Sequence, residues 1–120
     1  MMNKLNMKLE VVRLLDTVSG LADFSTTYPK DMNIFPYAVY RTTATPHFLD
    51  GERREVQTRW NVSIDIYGIK SVSSVANEIY DGMKALGFEV TQRDSNTPDF
   101  FRVILECRGI VDNDMKHIYL

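Results

Sequence analysis

At 120 residues the chain has the length of one domain, enough to bury about two-thirds of its unfolded surface without help from metals or disulfides. A net charge of -2 excludes bulk attraction to a polyanion, and 44% hydrophobic with 25% charged residues excludes disorder. The single Cys107 excludes an intrachain disulfide; Met1, Met2, Asn3 and Lys4 begin no signal-peptide core and no apolar run spans a membrane, so a soluble, cytoplasmic chain is expected.

In chain order, Leu5, Leu9, Val12, Leu15 and Val18 recur at spacings of three and four, with Val11, Leu14 and Leu21 widening the stripe. That pattern predicts an amphipathic helix over about 4–19, ended near Gly20. Lys4 and Lys8 near its start and Asp16 near its end oppose the helix macrodipole, so packing must hold it. Residues 23–36 carry Pro29, Pro36 and polar residues without either period and are expected to form a loop.

Aromatic and β-branched residues over 37–43 predict a strand, and residues 54–67 alternate strictly. Val56, Thr58, Trp60, Val62, Ile64 and Ile66 point one way as a core face, while Gln57, Arg59, Asn61, Ser63, Asp65 and Tyr67 point the other. The pair reads as a hairpin whose Asp50-Gly51 dipeptide suits a tight tip with positive φ. Ser71 is the expected N-cap of a second helix over about 71–86, with Val72, Val75, Ala76, Ile79, Tyr80, Met83 and Leu86 on one face. Gly87 and Phe88 form its stop.

Strands over 88–93 and 100–111 form a second hairpin, and residues 112–120 form a polar-then-apolar tail, divided evenly between fraying and docking. The expected fold is therefore α+β: one domain over 1–120, order α-β-β-α-β-β, with an antiparallel sheet and two helices packed on one face.

The residues carry no evident chemistry. A zinc site needs about four converging ligands, whereas His47 lies in a loop, His117 near the end and Cys107 on an inward strand face. Asp65 and Glu106 are placed to face each other across adjacent strands, but Arg59, Arg102 and Arg108 share that face, and cross-strand ion pairs account for all of them. The Arg53-Arg54 pair hints at nucleic acid, offset by Glu52 and Glu55. No catalytic, cofactor or metal residue is assigned.

Taken together, the glycine-ended first helix, Pro36-Tyr37-Ala38-Val39-Tyr40, the Asp50-Gly51 loop, Ile64-Asp65-Ile66-Tyr67 and Leu86-Gly87-Phe88 resemble the tail-terminator, or tail-to-head joining, proteins of long-tailed bacteriophages. The likeness covers residues 9–111. It implies a non-enzymatic assembly protein of the virion, made in the host cytoplasm. Copies of the chain would form a ring, by implication of six, that caps the tail tube and meets the head connector or a head-completion protein. DNA would only pass through the lumen. Expected protein contacts are His47, Phe48, Leu49, Asp50, Arg53 and Arg54 in the hairpin loop and Tyr67 as an edge aromatic. The alternatives are a small nucleic-acid- or ligand-binding module and another phage structural protein.

Overall fold

The computed structural model describes residues 6–31, 33–113 and 117–119. Helix α1 (Met7–Thr17) begins at Asn6, whose side-chain oxygen accepts the N–H of Lys8 at 3.1 Å and of Leu9 at 3.4 Å. It buries Met7, Val11 and Leu15, followed by Val18 just past its end. Leu9, expected in that stripe, is 46% exposed, because two residues from both Met7 and Val11 is roughly 200° around the helix. The helix stops three residues before Gly20, and the expected start at residues 4 and 5 lies outside the described residues.

Helix α2 (Ser73–Ala85) buries Val75, Ala76, Ile79 and Met83, as its period requires. Val72, not Ser71, is its N-cap; the Ser71 hydroxyl only approaches the Ser73 N–H at 3.4 Å from one residue further out. The stop is a Schellman motif. Gly87 takes φ 106, its N–H donates to the Lys84 carbonyl at 2.9 Å, and the Phe88 N–H donates to that of Met83 at 3.2 Å.

Among the described residues the strands are β1 (Asp23–Ser25), β2 (Tyr37–Leu49), β3 (Glu55–Gly68), β4 (Glu89–Asp94), β5 (Phe101–Asp112) and β6 (His117–Tyr119). The sheet runs β1-β2-β3-β5-β4, and β6 pairs with β5 beyond the end of β4. Both expected hairpins form, β2 with β3 and β4 with β5, each antiparallel. The purely antiparallel sheet and the six-element order are corrected: β1 pairs with β2 in parallel, so the sheet is mixed, and β1 and β6 make the order α-β-β-β-α-β-β-β. β1 arises inside the expected loop, where three residues suffice to pair Asp23 with Tyr37 and Ser25 with Val39. Strand β6 resolves part of the tail in favour of docking.

One main core joins both helices to one sheet face through Ala38, Tyr40, Trp60, Val62, Ile64, Ile66, Leu105, Cys107 and Val111. Each fully buried Ile or Leu there contributes about 1.5–3 kcal/mol by leaving water. The molecule is nevertheless long, 52 × 26 × 23 Å, with a radius of gyration of 15.6 Å, against roughly 13.6 Å for a compact chain of this length. The excess length is the β2–β3 hairpin. Strand β2 runs six residues past its expected end at 43, pairing Ala44 with Trp60, Thr45 with Arg59 and Pro46 with Thr58. Proline is tolerated because β1 covers only the first three residues of β2, which leaves the rest as an edge strand.

Candidate functional site

Two places concentrate polar and aromatic side chains outside the main core. The first is the hairpin tip. Irregular pairing between Pro46 and Leu49 leaves His47 without a partner on β3 and breaks the ladder before the turn. Asp50 then organises the turn: one carboxylate oxygen accepts the N–H groups of Glu52 and Arg54, both at 2.9 Å, and the other accepts Arg54 Nε at 2.7 Å. The Arg54 backbone hydrogen bond leads in holding the Asp50 carboxyl below its ordinary 3.8, with the Arg54 side chain adding to it. The tight tip is present, but its positive φ falls on Arg53 (φ 63) rather than on Gly51.

Of the expected contact residues, His47, Phe48, Leu49, Asp50, Arg53 and Arg54 come together at this tip. Phe48 is 54% and Leu49 47% exposed, while the polar residues around them largely satisfy one another. Arg54 is held by Asp50 and lies 3.6 Å from Glu52, and His47 Nδ1 is 3.2 Å from Arg59 Nη2. Arg53 makes no ion pair among the described residues. This arrangement leaves little free cation for a phosphate backbone and an apolar pair with nothing covering it.

Tyr67 is not with them. It stands at the other end of β3, 8% exposed, so its expected role as an edge contact is corrected: the loop after β1 closes over it. Tyr28 meets its ring edge-on at 5.7 Å, Phe100 at 6.3 Å, and the Arg102 guanidinium lies 5.3 Å above it. With Tyr37, Val39 and the flanking Phe35 it forms a second, smaller core on the face expected to be polar. Burial is the main cause of its raised phenol pKa, with Tyr28 adding to it.

The second place is the sheet face opposite the helices. Register rows Thr43–Asn61–Arg108–Glu89 and Arg41–Ser63–Glu106–Thr91 line an open concavity of about 540 Å³. Asp65 and Glu106 do not face each other: Asp65 pairs in register with Ile104, and Glu106 with Ser63. Asp65 instead accepts Arg102 Nη2 at 2.6 Å and the Tyr28 hydroxyl at 3.0 Å through one oxygen. Burial opposes the Arg102 charge, but the Asp65 hydrogen bond and charge outweigh it and raise its pKa. Glu106 lies 3.5 Å from Arg93, and Glu89 meets Arg108 in a fork of two 3.1 Å bonds that lowers the carboxyl pKa. Cross-strand ion pairs of the expected kind hold Asp65, Arg102, Glu106 and Arg108, whereas Arg59 meets His47 instead.

Cys107 is buried, and desolvation, with the Glu106 charge added, pushes its thiol up to about 12, so it is an inert core residue. No group of three or more His, Cys, Asp or Glu capable of holding a metal ion occurs among the described residues. No helix among them is long and apolar enough to cross a membrane. The missed features are β1 and the Tyr28–Asp65–Arg102 cluster; a tyrosine beside an aspartate on a polar face was the available signal. No protein-family model and no curated protein sequence matches this chain.

Proposed function

We propose that the protein is a non-enzymatic virion assembly protein, a tail terminator whose copies form a ring on the end of the tail tube and present a docking surface to the head connector. The observation that carries this reading is the hairpin arm, which extends past the helices and ends in the exposed Phe48 and Leu49. A lone solvated turn has no use for two adjacent large apolar side chains, whereas an arm that inserts into a neighbour does. The sequence resemblance over residues 9–111 also supports this reading.

The test is electron microscopy of a lysate from the parent phage or prophage with this gene deleted, the intact gene being supplied in trans as control. Overlong tails, or tails detached from filled heads, that the control restores are the expected result. Normal joined virions overturn the reading. Within it, Phe48→Ser combined with Leu49→Ser leaves unfolding free energy within about 0.5 kcal/mol, since both side chains are exposed, and abolishes rescue in the same assay.

A second reading, a small-ligand module, draws on the open concavity lined by Arg41, Asn61, Glu89 and Glu106. Saturable binding of a small charged solute, lost on Asn61→Ala with Arg41→Ala, supports it. Virion defects in the deletion strain that the same double variant rescues fully remove it.

A further inference from the structure

Two long stretches of sheet edge lie open among the described residues: the outer side of β4, and the outer side of β2 where β1 ends. They differ in how they are defended. Strand β4 has six residues, of which Glu89, Arg93 and Asp94 are charged and exposed, and such charges blunt an edge against pairing. Strand β2 has 13 residues, and β1 covers only Tyr37, Ala38 and Val39. From Tyr40 onward its outer backbone donors and acceptors face no strand among the described residues.

This open stretch is limited at both ends. Ser25, the last residue of β1, closes it at Val39, and the irregular pairing after Pro46 disrupts the strand at the other end. Between these limits residues 40–46 pair with β3 in unbroken register, from Tyr40 against Ile64 to Pro46 against Thr58. The window reads Tyr40-Arg41-Thr42-Thr43-Ala44-Thr45-Pro46, rich in threonine, with one charge and no lysine. Arg41, Thr43 and Thr45 are exposed on the polar face, and Thr42 and Ala44 are half-buried on the helix side. The Arg41 guanidinium lies 5.3 Å over the ring of Tyr28 and makes no ion pair among the described residues.

We propose that the 40–46 edge of one copy pairs antiparallel with the same edge of a second copy, about a two-fold axis at Thr43. Because strand side chains alternate, opposed residues must share a face. The window meets this condition when it pairs with itself about its middle: Thr43 faces Thr43, Thr42 faces Ala44, Arg41 faces Thr45 and Tyr40 faces Pro46. No like charges meet, and the central threonines form a favourable cross-strand pair. The shared ladder supplies about six backbone hydrogen bonds to groups that otherwise face water. Strand β4 of a second copy fits worse. The one antiparallel, same-face register that holds all six of its residues inside the window sets Arg93 opposite Arg41, where like charges are destabilising. Beyond Pro46 each tip leaves the shared ladder at its own irregularity, before it meets β1 of the second copy. The contact is isologous and closes at two copies, so it adds no subunit to a ring. It is a pairing of the free protein and goes beyond the assembly reading without resting on it.

The test is sedimentation equilibrium of the full chain over a range of concentrations, together with single cysteines. A monomer–dimer equilibrium is expected. Thr43→Lys sets two ammonium groups opposite each other and raises the dissociation constant about fivefold to tenfold. Thr43→Cys links two copies by a disulfide under oxidised glutathione, because opposed Cα atoms lie about 4.5–5.5 Å apart. Arg41→Cys and Thr45→Cys do not link alone, since equivalent positions are about 14 Å apart along the ladder, but they link when mixed. Native Cys107 is buried and gives no background. A mass of one copy up to the highest soluble concentration overturns the proposal, as does a dimer indifferent to Thr43→Lys. Self-linking at position 41 or 45 with none at 43 overturns the two-fold register. Position 43 is exposed, so these variants keep the fold, which circular dichroism checks; Thr43→Cys, close in size to the parent, keeps the test decisive if the lysine variant does not fold. A rescued tail defect with no dimer removes this contact alone. A dimer with normal virions from the deletion strain removes the terminator reading alone.

Discussion

Strand β3 passes through two different environments. Its inner part, residues 64–68, is covered on both faces: Ile64 and Ile66 lie in the main core, and Asp65 and Tyr67 lie beneath Tyr28 and Phe100. Its outer half, residues 55–61, buries Thr58 and Trp60 on the helix side and leaves Arg59 and Asn61 exposed on the other. The same alternating pattern thus builds a doubly covered anchor and a one-sided arm. Which of them a segment becomes is decided by what folds over it, here the loop between β1 and β2.

The largest effect expected from disturbing this contrast is at Asp65. Asp65→Ala leaves Arg102 without its partner and costs about 2–3 kcal/mol in chemical denaturation, less than a fully buried broken pair because a quarter of the Arg102 side chain is exposed. Arg59→Ala, at the matching position on the arm, stays within about 0.5 kcal/mol. Equal losses at the two sites would erase the distinction between anchor and arm.

Next comes Asn113, 1% exposed, whose Nδ2 donates to the Glu55 carbonyl at 3.1 Å and to the Thr58 hydroxyl at 2.9 Å. Its backbone N–H donates to the Val56 carbonyl at 2.9 Å, and Thr58 in turn donates to the Glu55 carboxylate. This network ties the end of β5 to the outer part of the arm, next to its tip. Asn113→Ala removes both side-chain donations from this network and costs about 1–2 kcal/mol. Hydrogen exchange sharpens the test: amides of residues 55–60 lose protection first, while those of 64–67 keep theirs.

Smaller still is the pH response of the tip. The folded pKa of Asp50 is lowered, so its contribution is fully present above the ordinary 3.8 and is lost as pH falls through the lowered value. Asp50→Asn is therefore less stable than the parent near neutrality, and the two converge in strong acid. Thermal melts across that range check the sign. The smallest effect is at Arg53, where a non-glycine residue holds φ 63. Arg53→Gly removes that strain but enlarges the freedom of the unfolded chain, for a net gain of no more than about 0.5 kcal/mol.

These results show what a linear pattern can carry. The alternation over 54–67 and the period over 71–86 were legible because each repeats enough times to exclude the other, and Gly87-Phe88 because a helix stop is a local event. Strand β1 was not legible, since three residues define no period and its partner is recruited through a loop. The stripe of α1 was legible as helix but not in phase, because Leu9 and Leu15 are chemically alike and only packing tells them apart. The gathering of His47, Phe48, Leu49, Asp50, Arg53 and Arg54 at one tip followed from the turn, whereas the burial of Tyr67 depended on Tyr28 and Phe100, distant in sequence. Element order similarly missed the parallel edge, which is a property of pairing and not of composition.

The long register of β3 has a mechanical consequence. It is bonded on one side to β2 between Glu55 and Tyr67 and on the other to β5 between Gln57 and Gly68, with hydrogen bonds perpendicular to the strand. A pull on the tip directed along the arm therefore loads these bonds in shear, many at once, instead of peeling them open in turn. Force entering at Phe48 and Leu49 is spread along the whole strand before it reaches Ile64 and Ile66 between the helices and the sheet, so the arm acts as a tether whose failure load is set by its length.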